Sequence, residues 1–301
     1  MEKLNYEEFK KVVEQQFTAW LPEEYQKCKV VIQPRYKVNT VLDYINLYDE
    51  NGKGINGPSF CATEMYQKYC DGLDLDTMLL EVGKYYANME EENSIATNFV
   101  KNFNGKDSLL EKVVIQVINR EKNQKLLETI PHVNIFKDLA VIFRIFIDEC
   151  KGEIISSILT NEMAKAYDIE SPSTDYTEVK SMLKNELFAH AYENTDNLFT
   201  VKIHPLLQEL PFFAVTNNLY SWGANLLLYP QTFKRIAQKL DSDLYIFPSS
   251  IHELVVMKKE VDDNDSYFKN MVKTINDTTV QPEEILTDHI FIYRNGTIVE
   301  L

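Results

Sequence analysis

The residues whose types and spacing come closest to a reaction centre lie in the stretch PSSIHELVV, residues 248–256. The β-branched residues of this stretch favour a strand over 251–257. On extended backbone, residues two apart share a face, so the hydroxyl of Ser250 could meet the imidazole of His252 as a nucleophile meets its base. The carboxylate of such a triad has to come from elsewhere in the chain, and Asp288 is the candidate.

A structural interpretation of the same residues competes with the catalytic one. Ser249 and Ser250 are residue types that form turns, and a histidine within a sheet is normally hydrogen-bonded to its neighbours. The sequence has no GxSxG elbow around Ser250. We therefore expect that the protein has no catalytic residue. If it has a catalytic site, the candidates are Ser250, His252 and Asp288. If the stretch has a function, we expect a binding hairpin made of Ser249, Ser250, His252 and Glu253.

Two histidines have an acidic neighbour at a spacing used by metal sites. His252-Glu253 starts like the zinc-protease motif HExxH, but Val256 occupies the position of the second histidine, and the motif requires a helix rather than a strand. Glu186 and His190 are one helical turn apart and could form half of a site. His190 also lies on an apolar helix stripe, which favours a partly buried histidine, so we expect no metal.

The segment Gly52–Gly57 matches the dinucleotide-binding pattern GxGxxG. A nucleotide site requires an apolar strand before the first glycine and a helix that begins inside the motif. Here the polar residues 49–51 precede the motif and Pro58 follows it. The segment is therefore predicted to be the tip of a hairpin, and no cofactor is expected.

Composition limits the class of protein. The chain has 301 residues, 45% of them apolar, and a net charge of −15. The apolar content is sufficient for globular cores, whereas the charge opposes binding to nucleic acid or to an anionic membrane. The longest apolar runs, at 139–143 and 254–257, are far shorter than the roughly 18–20 residues that span a bilayer. The first residues mix acids and bases, unlike a signal peptide, so we expect a cytoplasmic location.

The four cysteines are scattered through the sequence and form no CxxC pair. Their apolar neighbours predict buried thiols rather than a disulfide framework or a zinc site.

Apolar periodicity predicts two modules, residues 1–92 and 109–301, joined by a polar connecting segment at 93–108. Many predicted strands follow one another without a crossover helix, so the fold class is α+β, with mixed or mostly antiparallel sheets and packed amphipathic helices. The predicted helices are 6–20, 62–69, 75–89, 176–192, one opened by Pro230, and 266–276. The predicted strands are 28–38, 41–48, 113–118, 138–147, 154–159, 212–216, 243–247, 251–257, 289–293 and 297–300.

Four segments carry a resemblance to a known family. They are YCDGLDLDTML (69–79), REKNQKLLETIPHVNIFKDLAVIF (120–143), GANLLLYPQTFKRIAQKLDSDLYIFPSSIHELVVM (223–257) and TTVQPEEILTDHIFIY (278–293). In this order and over nearly the whole chain, they resemble a bacterial family, domain of unknown function 5688, of anaerobic Gram-positive bacteria. The second half is also weakly similar to another uncharacterised family. The resemblance implies a cytoplasmic bacterial protein linked to mobile elements, and it implies no reaction.

Three hypotheses for function follow. The first is a non-enzymatic protein whose exposed surface binds another macromolecule, with the partner, a protein or a small molecule, left open by the sequence. The second is a hydrolase-like enzyme that uses Ser250, His252 and the distant Asp288. The third is an acidic inhibitor that imitates nucleic acid, which needs carboxylates concentrated on one face.

Overall fold

A computed structural model of the chain describes residues 3–55, 58–88, 103–150, 153–174, 178–206, 212–260 and 263–301. The chain divides into two compact units, Met1–Asn102 and Phe103–Leu301. This division falls inside the segment 93–108 that the sequence predicts as a connection. Residues 93–102 of that segment lie outside the described ranges, whereas Lys106–Leu110 is helical.

The N-terminal unit combines three α-helices with one small sheet in the residues described. The first helix begins after Asn5, because the Asn5 side chain accepts from the Glu8 backbone N–H and the Glu8 carboxylate accepts from the Asn5 backbone N–H, both at 3.0 Å. Phe9 and Val13 of that helix lie in the apolar core of the unit. The elements are α1 (Tyr6–Gln16), β1 (Lys29–Lys37), β2 (Thr40–Tyr48), β3 (Phe60–Cys61), α2 (Ala62–Cys70) and α3 (Leu75–Ala87).

The C-terminal unit contains two sheets and several short helices in the residues described, with a 3-10 helix at Gly223–Leu228. Its helices are α4 (Lys106–Leu110), α5 (Gln124–Leu127), α6 (Asn161–Ala166), α7 (Val179–Met182), α8 (Glu186–Leu198), α9 (Gln231–Leu240) and α10 (Asp265–Thr278). Its strands are β4 (Val113–Asn119), β5 (His132–Ile135), β6 (Leu139–Cys150), β7 (Glu153–Ile158), β8 (Val201–Pro205), β9 (Phe212–Asn217), β10 (Leu244–Pro248), β11 (Leu254–Lys258), β12 (Phe291–Arg294) and β13 (Thr297–Glu300).

All strand pairings among the described residues are antiparallel. The N-terminal sheet has the order β1-β2-β3. In the C-terminal unit, β6 lies between β4 and β5 and also pairs with β7, and a second sheet has the order β13-β12-β10-β11-β9-β8. The predicted α+β class with antiparallel sheets is confirmed.

The predicted helix 176–192 is wrong as a single element. The chain forms α7 and then α8, and between them Asn185 has extended backbone (φ −81°, ψ 130°). Its side chain accepts a hydrogen bond from the Phe188 N–H at 3.0 Å, so Asn185 caps a new helix instead of continuing the old one. The strands β5 and β8 were not predicted, because neither has a run of alternating apolar and polar residues long enough to indicate a strand.

One edge of β4 is completed by side chains. Every residue of β4 is buried, and β6 pairs with one side of it. On the other side, the Asn225 amide accepts from the Val117 N–H at 2.8 Å and donates to the Ile115 carbonyl at 2.7 Å. The Thr195 hydroxyl accepts from the Ile115 N–H at 2.9 Å. Asn225 therefore takes the place of a peptide group in a neighbouring strand.

We expect Asn225→Ala to lower the free energy of unfolding by about 2–4 kcal/mol, because two buried backbone groups lose their partners. Urea unfolding followed by circular dichroism measures this loss. Asn270→Ala, at an exposed position of α10, is the matched control and should change stability little. Equal effects of the two substitutions would contradict the role given to Asn225.

Candidate functional site

Residues 249–253 form the loop between β10 and β11, so the predicted strand 251–257 is wrong for its first three residues. The loop backbone bonds to other segments instead of to a neighbouring strand. The Ile251 N–H donates to the Glu284 carbonyl at 2.9 Å, and the Ile251 carbonyl accepts from the Ala224 N–H at 3.3 Å. The strand pairing resumes at Leu254, opposite Pro248.

His252 holds the start of the 3-10 helix through both its ring and its backbone. Its Nδ1 accepts from the Trp222 N–H at 3.3 Å. Its carbonyl accepts from the Gly223 N–H at 3.0 Å and from the Thr216 hydroxyl at 2.8 Å. Because Nδ1 is an acceptor, the neutral ring carries its proton on Nε2. The ring is thus a positioning group for Trp222.

Glycine is required at position 223 by this close approach. A Cβ at Gly223 would lie 2.2 Å from the His252 carbonyl oxygen and 2.7 Å from Thr216 Oγ1. The preceding residue, Trp222, has a left-handed backbone (φ 57°, ψ 31°). A bulky residue other than glycine adopts this conformation only when its surroundings stabilise it. The hydrogen bonds that His252 accepts from the Trp222 and Gly223 N–H groups hold this backbone in place.

The hydrogen bonds of the described residues do not join the side chains of Ser250, His252 and Asp288. The Ser250 hydroxyl accepts from the His252 backbone N–H at 3.0 Å, not from the ring. Asp288 is exposed and accepts from the Asn276 amide at 2.8 Å. The loop residues Ser249, Ser250, His252 and Glu253 are all partly exposed. Ser249 donates to the Glu253 carbonyl at 3.2 Å, which closes the turn that the sequence offered as the alternative.

Burial lowers the pKa of His252 below its ordinary value, and the charge of Glu284 opposes this shift. The unfolded chain therefore binds more protons than the folded chain as the pH falls through about 6.5. The contribution of neutral His252 to stability is complete above that pH and is lost as the pH falls toward the folded-state pKa.

We expect His252→Asn, whose amide oxygen can replace Nδ1 as acceptor, to gain stability relative to the wild type as the pH falls from about 7 to about 5. Urea unfolding across this range gives the difference. The control is His190→Asn, at an exposed position of α8. A pH-independent difference for His252→Asn would show that the ring is not held neutral by the fold.

The Trp222 indole covers an arginine on the neighbouring sheet. The Arg144 Cζ lies 5.0 Å from the centroid of the Trp222 ring. Arg144 Nε donates to the Ser156 hydroxyl at 2.9 Å, and Nη1 donates to the Gln116 amide oxygen at 3.1 Å. Sequence reasoning missed this group, although a single arginine inside the apolar strand LAVIFRIFI was a visible signal.

His289 faces the buried carboxylate of Glu300. Its Nδ1 lies 3.3 Å from Glu300 Oε1, and the Glu300 side chain is 7% exposed. Glu300 Oε2 accepts from the Lys137 backbone N–H at 2.8 Å, and the Lys137 ammonium lies 3.4 Å from Oε1. This contact ties β13 to the turn before β6.

Asp138, in the same turn, is a buried acid. Its Oδ2 accepts from the Thr287 hydroxyl at 2.7 Å and from the Asn119 amide at 3.3 Å, whereas the buried Oδ1 has no hydrogen-bond partner among the residues that the structure describes. Burial raises the pKa of Asp138, the Thr287 hydrogen bond and His289 lower it, and the charge of Glu300 raises it further. The net direction is upward because burial is the largest cause.

A carboxyl whose pKa is raised on folding loses stabilising effect as the pH rises from its ordinary value of 3.8 to its folded value. We therefore expect Asp138→Asn, which is neutral at every pH, to gain stability relative to the wild type as the pH rises from about 4 to about 7. Urea unfolding at four pH values measures the difference. A constant difference would mean that Asp138 is charged in the folded protein throughout.

Strand β8 is exposed along its whole length. It ends the six-stranded sheet, and β9 is its only partner among the described strands. Val201 is 36% exposed and Ile203 is 41% exposed. The His204 ring stacks on the ring of Tyr220 at 6.1 Å, and Tyr220 is itself 61% exposed. The protein thus presents an open strand edge with apolar side chains.

The acid and histidine that the sequence offered as half of a metal site do not form one. Glu186 forms an ion pair with Lys106 at 2.5 Å, and His190 is exposed, so the expectation of a partly buried histidine is wrong. The buried residues of α8 are Leu187, Phe188, Ala191 and Thr195, and His190 is not one of them. Among the described residues, no group of three or more His, Cys, Asp or Glu side chains is placed to hold a metal ion.

The glycine-rich segment forms a turn after β2. The Asp49 side chain accepts from the backbone N–H groups of Asn51 and Lys53 at 2.9 and 2.8 Å, and Tyr48 bridges to Gly54. The predicted hairpin tip is confirmed up to residue 55, and residues 56–57 of the motif lie outside the described ranges.

The cysteine prediction holds in part. All four thiols are free, and Cys61 is buried, but Cys70 and Cys150 are exposed. Cys70 is the last residue of α2, and Cys150 is the last residue of β6. Of the helices in the described part of the chain, none combines enough length with enough apolar character to span a bilayer.

Together these features define an α+β protein with antiparallel sheets, in which a loop histidine holds a tryptophan over a half-buried arginine and one sheet ends in an open strand. Residues 6–295 match the model of a family described as a family of unknown function (DUF5688), and the chain belongs to this family. The resemblance seen in the sequence is therefore confirmed. No curated protein and no solved structure matches the chain.

Proposed function

We propose that the protein acts by binding a protein partner rather than by catalysis, and that the partner adds an extended segment to the open edge of β8. The observation that carries this proposal is the exposure of every residue of β8 at the end of a six-stranded sheet. Strand addition to a free edge is a recurring mode of peptide recognition.

The backbone of β8 offers hydrogen bonds in the direction of a partner. The Asn218 N–H donates to the Thr200 carbonyl at 2.8 Å, and the Leu206 N–H donates to the Phe212 carbonyl at 2.9 Å. Since antiparallel pairs alternate, the even-numbered residues of β8 bond to β9 and the odd-numbered residues direct their N–H and C=O groups outward. Val201 and Ile203 supply these outward groups, and Pro205, which has no N–H, ends the open edge.

The side chains of β8 define the chemistry of the segment that fits. Val201 and Ile203 lie on one face of the strand and Lys202 on the other. Lys202 is exposed and forms no ion pair with a described residue. The occupant we propose is therefore an extended segment in which apolar residues alternate with acidic ones, so that a carboxylate faces the Lys202 ammonium.

A bacterial, cytoplasmic location is part of this proposal. The four free thiols support it, because unpaired cysteines are typical of a reducing compartment. Neither catalysis by Ser250, His252 and Asp288 nor imitation of nucleic acid is favoured by a specific contact in the described residues.

The proposal can be tested with a ten-residue peptide of alternating Glu and Val, measured by fluorescence anisotropy. We expect binding that weakens at least about tenfold in Ile203→Pro, because the proline removes an outward N–H that a partner strand requires. Ile298→Pro is the matched control: the Leu301 N–H donates to the Ile290 carbonyl, so Ile298 directs its N–H outward on the opposite edge of the same sheet. This control should bind normally.

Two further peptides separate strand addition from charge attraction. A version N-methylated at alternate residues should not bind, and an alternating Lys and Val peptide should bind weakly. Equal binding by the wild type and Ile203→Pro, or no binding of the Glu and Val peptide, would overturn the proposal. Sedimentation would show whether the chain forms a dimer that Ile203→Pro disrupts. Such a dimer would identify a second copy of the chain as the occupant of the edge and would also overturn the proposal. A turnover abolished by His252→Asn in a folded protein would reject the non-enzymatic assignment.

A further inference from the structure

We infer that Arg144, Gln116 and Trp222 form a binding site for a small molecule that carries an oxyanion, a carboxylate or a phosphate. This site lies on the face of the sheet β4-β6-β5 and is separate from the open edge of β8. It therefore goes beyond the protein-binding function proposed above.

The charge of Arg144 has no counter-charge in the described part of the chain. Its side-chain hydrogen bonds go to two neutral acceptors, the Ser156 hydroxyl and the Gln116 amide oxygen. Burial lowers the pKa of Arg144 to about 10, and burial is the cause of that shift. A largely buried cation is costly unless an anion accompanies it. The chain has a net charge of −15, and yet none of its described carboxylates pairs with Arg144. We take a bound anion to be the missing partner.

The guanidinium keeps donors free for such a ligand. Nε and one proton of Nη1 are used by Ser156 and Gln116, and no described residue accepts from Nη2. Arg144 is also partly exposed, so these donors can be reached. Gln116 Nε2 donates to no described residue either, although Gln116 is 2% exposed. Two parallel N–H groups on one plane match the two oxygens of a carboxylate or a phosphate.

The indole of Trp222 completes the site from above. It lies 5.0 Å from Arg144 Cζ, where the ring face attracts the cation and keeps the guanidinium plane in place. Phe199 packs edge-on against the Trp222 ring at 6.3 Å, and both belong to a buried apolar cluster with Val114. Because the Trp222 backbone is fixed by His252, the loop 249–253 acts on this site as a positioning element.

The single cation of the site limits the ligand to a small anion. A single arginine between a glutamine and a serine cannot bind the phosphates of a nucleic acid strand, which requires several spaced cations. One oxyanion on one guanidinium is the stoichiometry that the geometry supports.

The test uses the fluorescence of Trp222 in the variant Trp20→Phe, because Trp20 and Trp222 are the two tryptophans of the chain. The probes are sodium succinate and inorganic phosphate, titrated at millimolar concentrations and at constant ionic strength set with sodium chloride. We expect at least one of them to give a saturable change in emission together with a higher melting temperature. Succinate as the active probe identifies a carboxylate ligand, and phosphate identifies a phosphate ligand.

The matched pair of variants is Arg144→Met and Arg35→Met, each made in the same background. Arg35 also stacks on an aromatic ring, that of Tyr44 at 4.7 Å, and bonds an amide oxygen, that of Asn46 at 2.7 Å, but it is exposed. Arg144→Met should weaken the titration at least about tenfold, the loss expected for a charge-assisted hydrogen bond, while Arg35→Met leaves it unchanged. Equal titrations in the two variants, or no saturable change with either anion, would overturn the inference.

A measurement on the wild-type protein covers the case in which Arg144→Met does not fold. Phenylglyoxal modifies arginine side chains, and peptide mapping reports the rate at each position. The active anion should slow modification of Arg144 severalfold and leave Arg35 unaffected. Equal protection of both arginines, or of neither, would contradict a site at Arg144.

Discussion

The buried edge of β4 is the constraint on which the C-terminal unit depends. A strand whose residues are all buried must have its backbone groups hydrogen-bonded, because an unpaired buried N–H or C=O costs about 1–3 kcal/mol. Asn225 meets this requirement only if the start of the 3-10 helix places its amide beside Ile115 and Val117. That start is set by Gly223 and Trp222, which bond to His252. The edge of one sheet is thereby coupled to a loop of the other.

In the C-terminal unit, the outer edges of β4 and β8 pair with no other described strand, and only one of these two edges is covered. The free side of β4 is closed by the side chains of Asn225 and Thr195. The free side of β8 has no such cover among the described residues, and it keeps apolar side chains in solvent. Proteins usually protect edges because open ones associate with other chains. The open edge of β8 is the feature that the proposed strand addition requires.

Local pattern was sufficient for most of the fold. Long apolar runs predicted β4 and β6, and helical periodicity predicted α1 and α3, because these signals arise within one element. The strand β8 was not predicted, because its alternation of apolar and polar residues covers only Val201 to His204 before Pro205. His252 was placed on a strand because its β-branched neighbours favour one, but the bonds that make a loop there come from residues 222–224 and Glu284, far away in sequence.

The site was less predictable than the fold for the same reason. Nothing in the sequence brings Trp222 to Arg144, because the contact depends on the packing of the 3-10 helix against a sheet. The sequence offered Asp288 as the acid of the triad, but the fold bonds its carboxylate to the Asn276 amide. The carboxylate that the fold brings to His289 is that of Glu300, which pairs with Phe291, two residues beyond His289.

The carbonyl oxygen of His252 also implies an order of assembly. It accepts hydrogen bonds from Thr216 and from Gly223. Two segments of the chain therefore dock on one atom of the loop that joins the antiparallel strands β10 and β11. That loop joins neighbouring residues and loses little entropy on closing, whereas the segments that dock on it come from a distance along the chain. The hairpin β10–β11 should therefore be an early nucleus, and the tryptophan should take its place only after the nucleus exists.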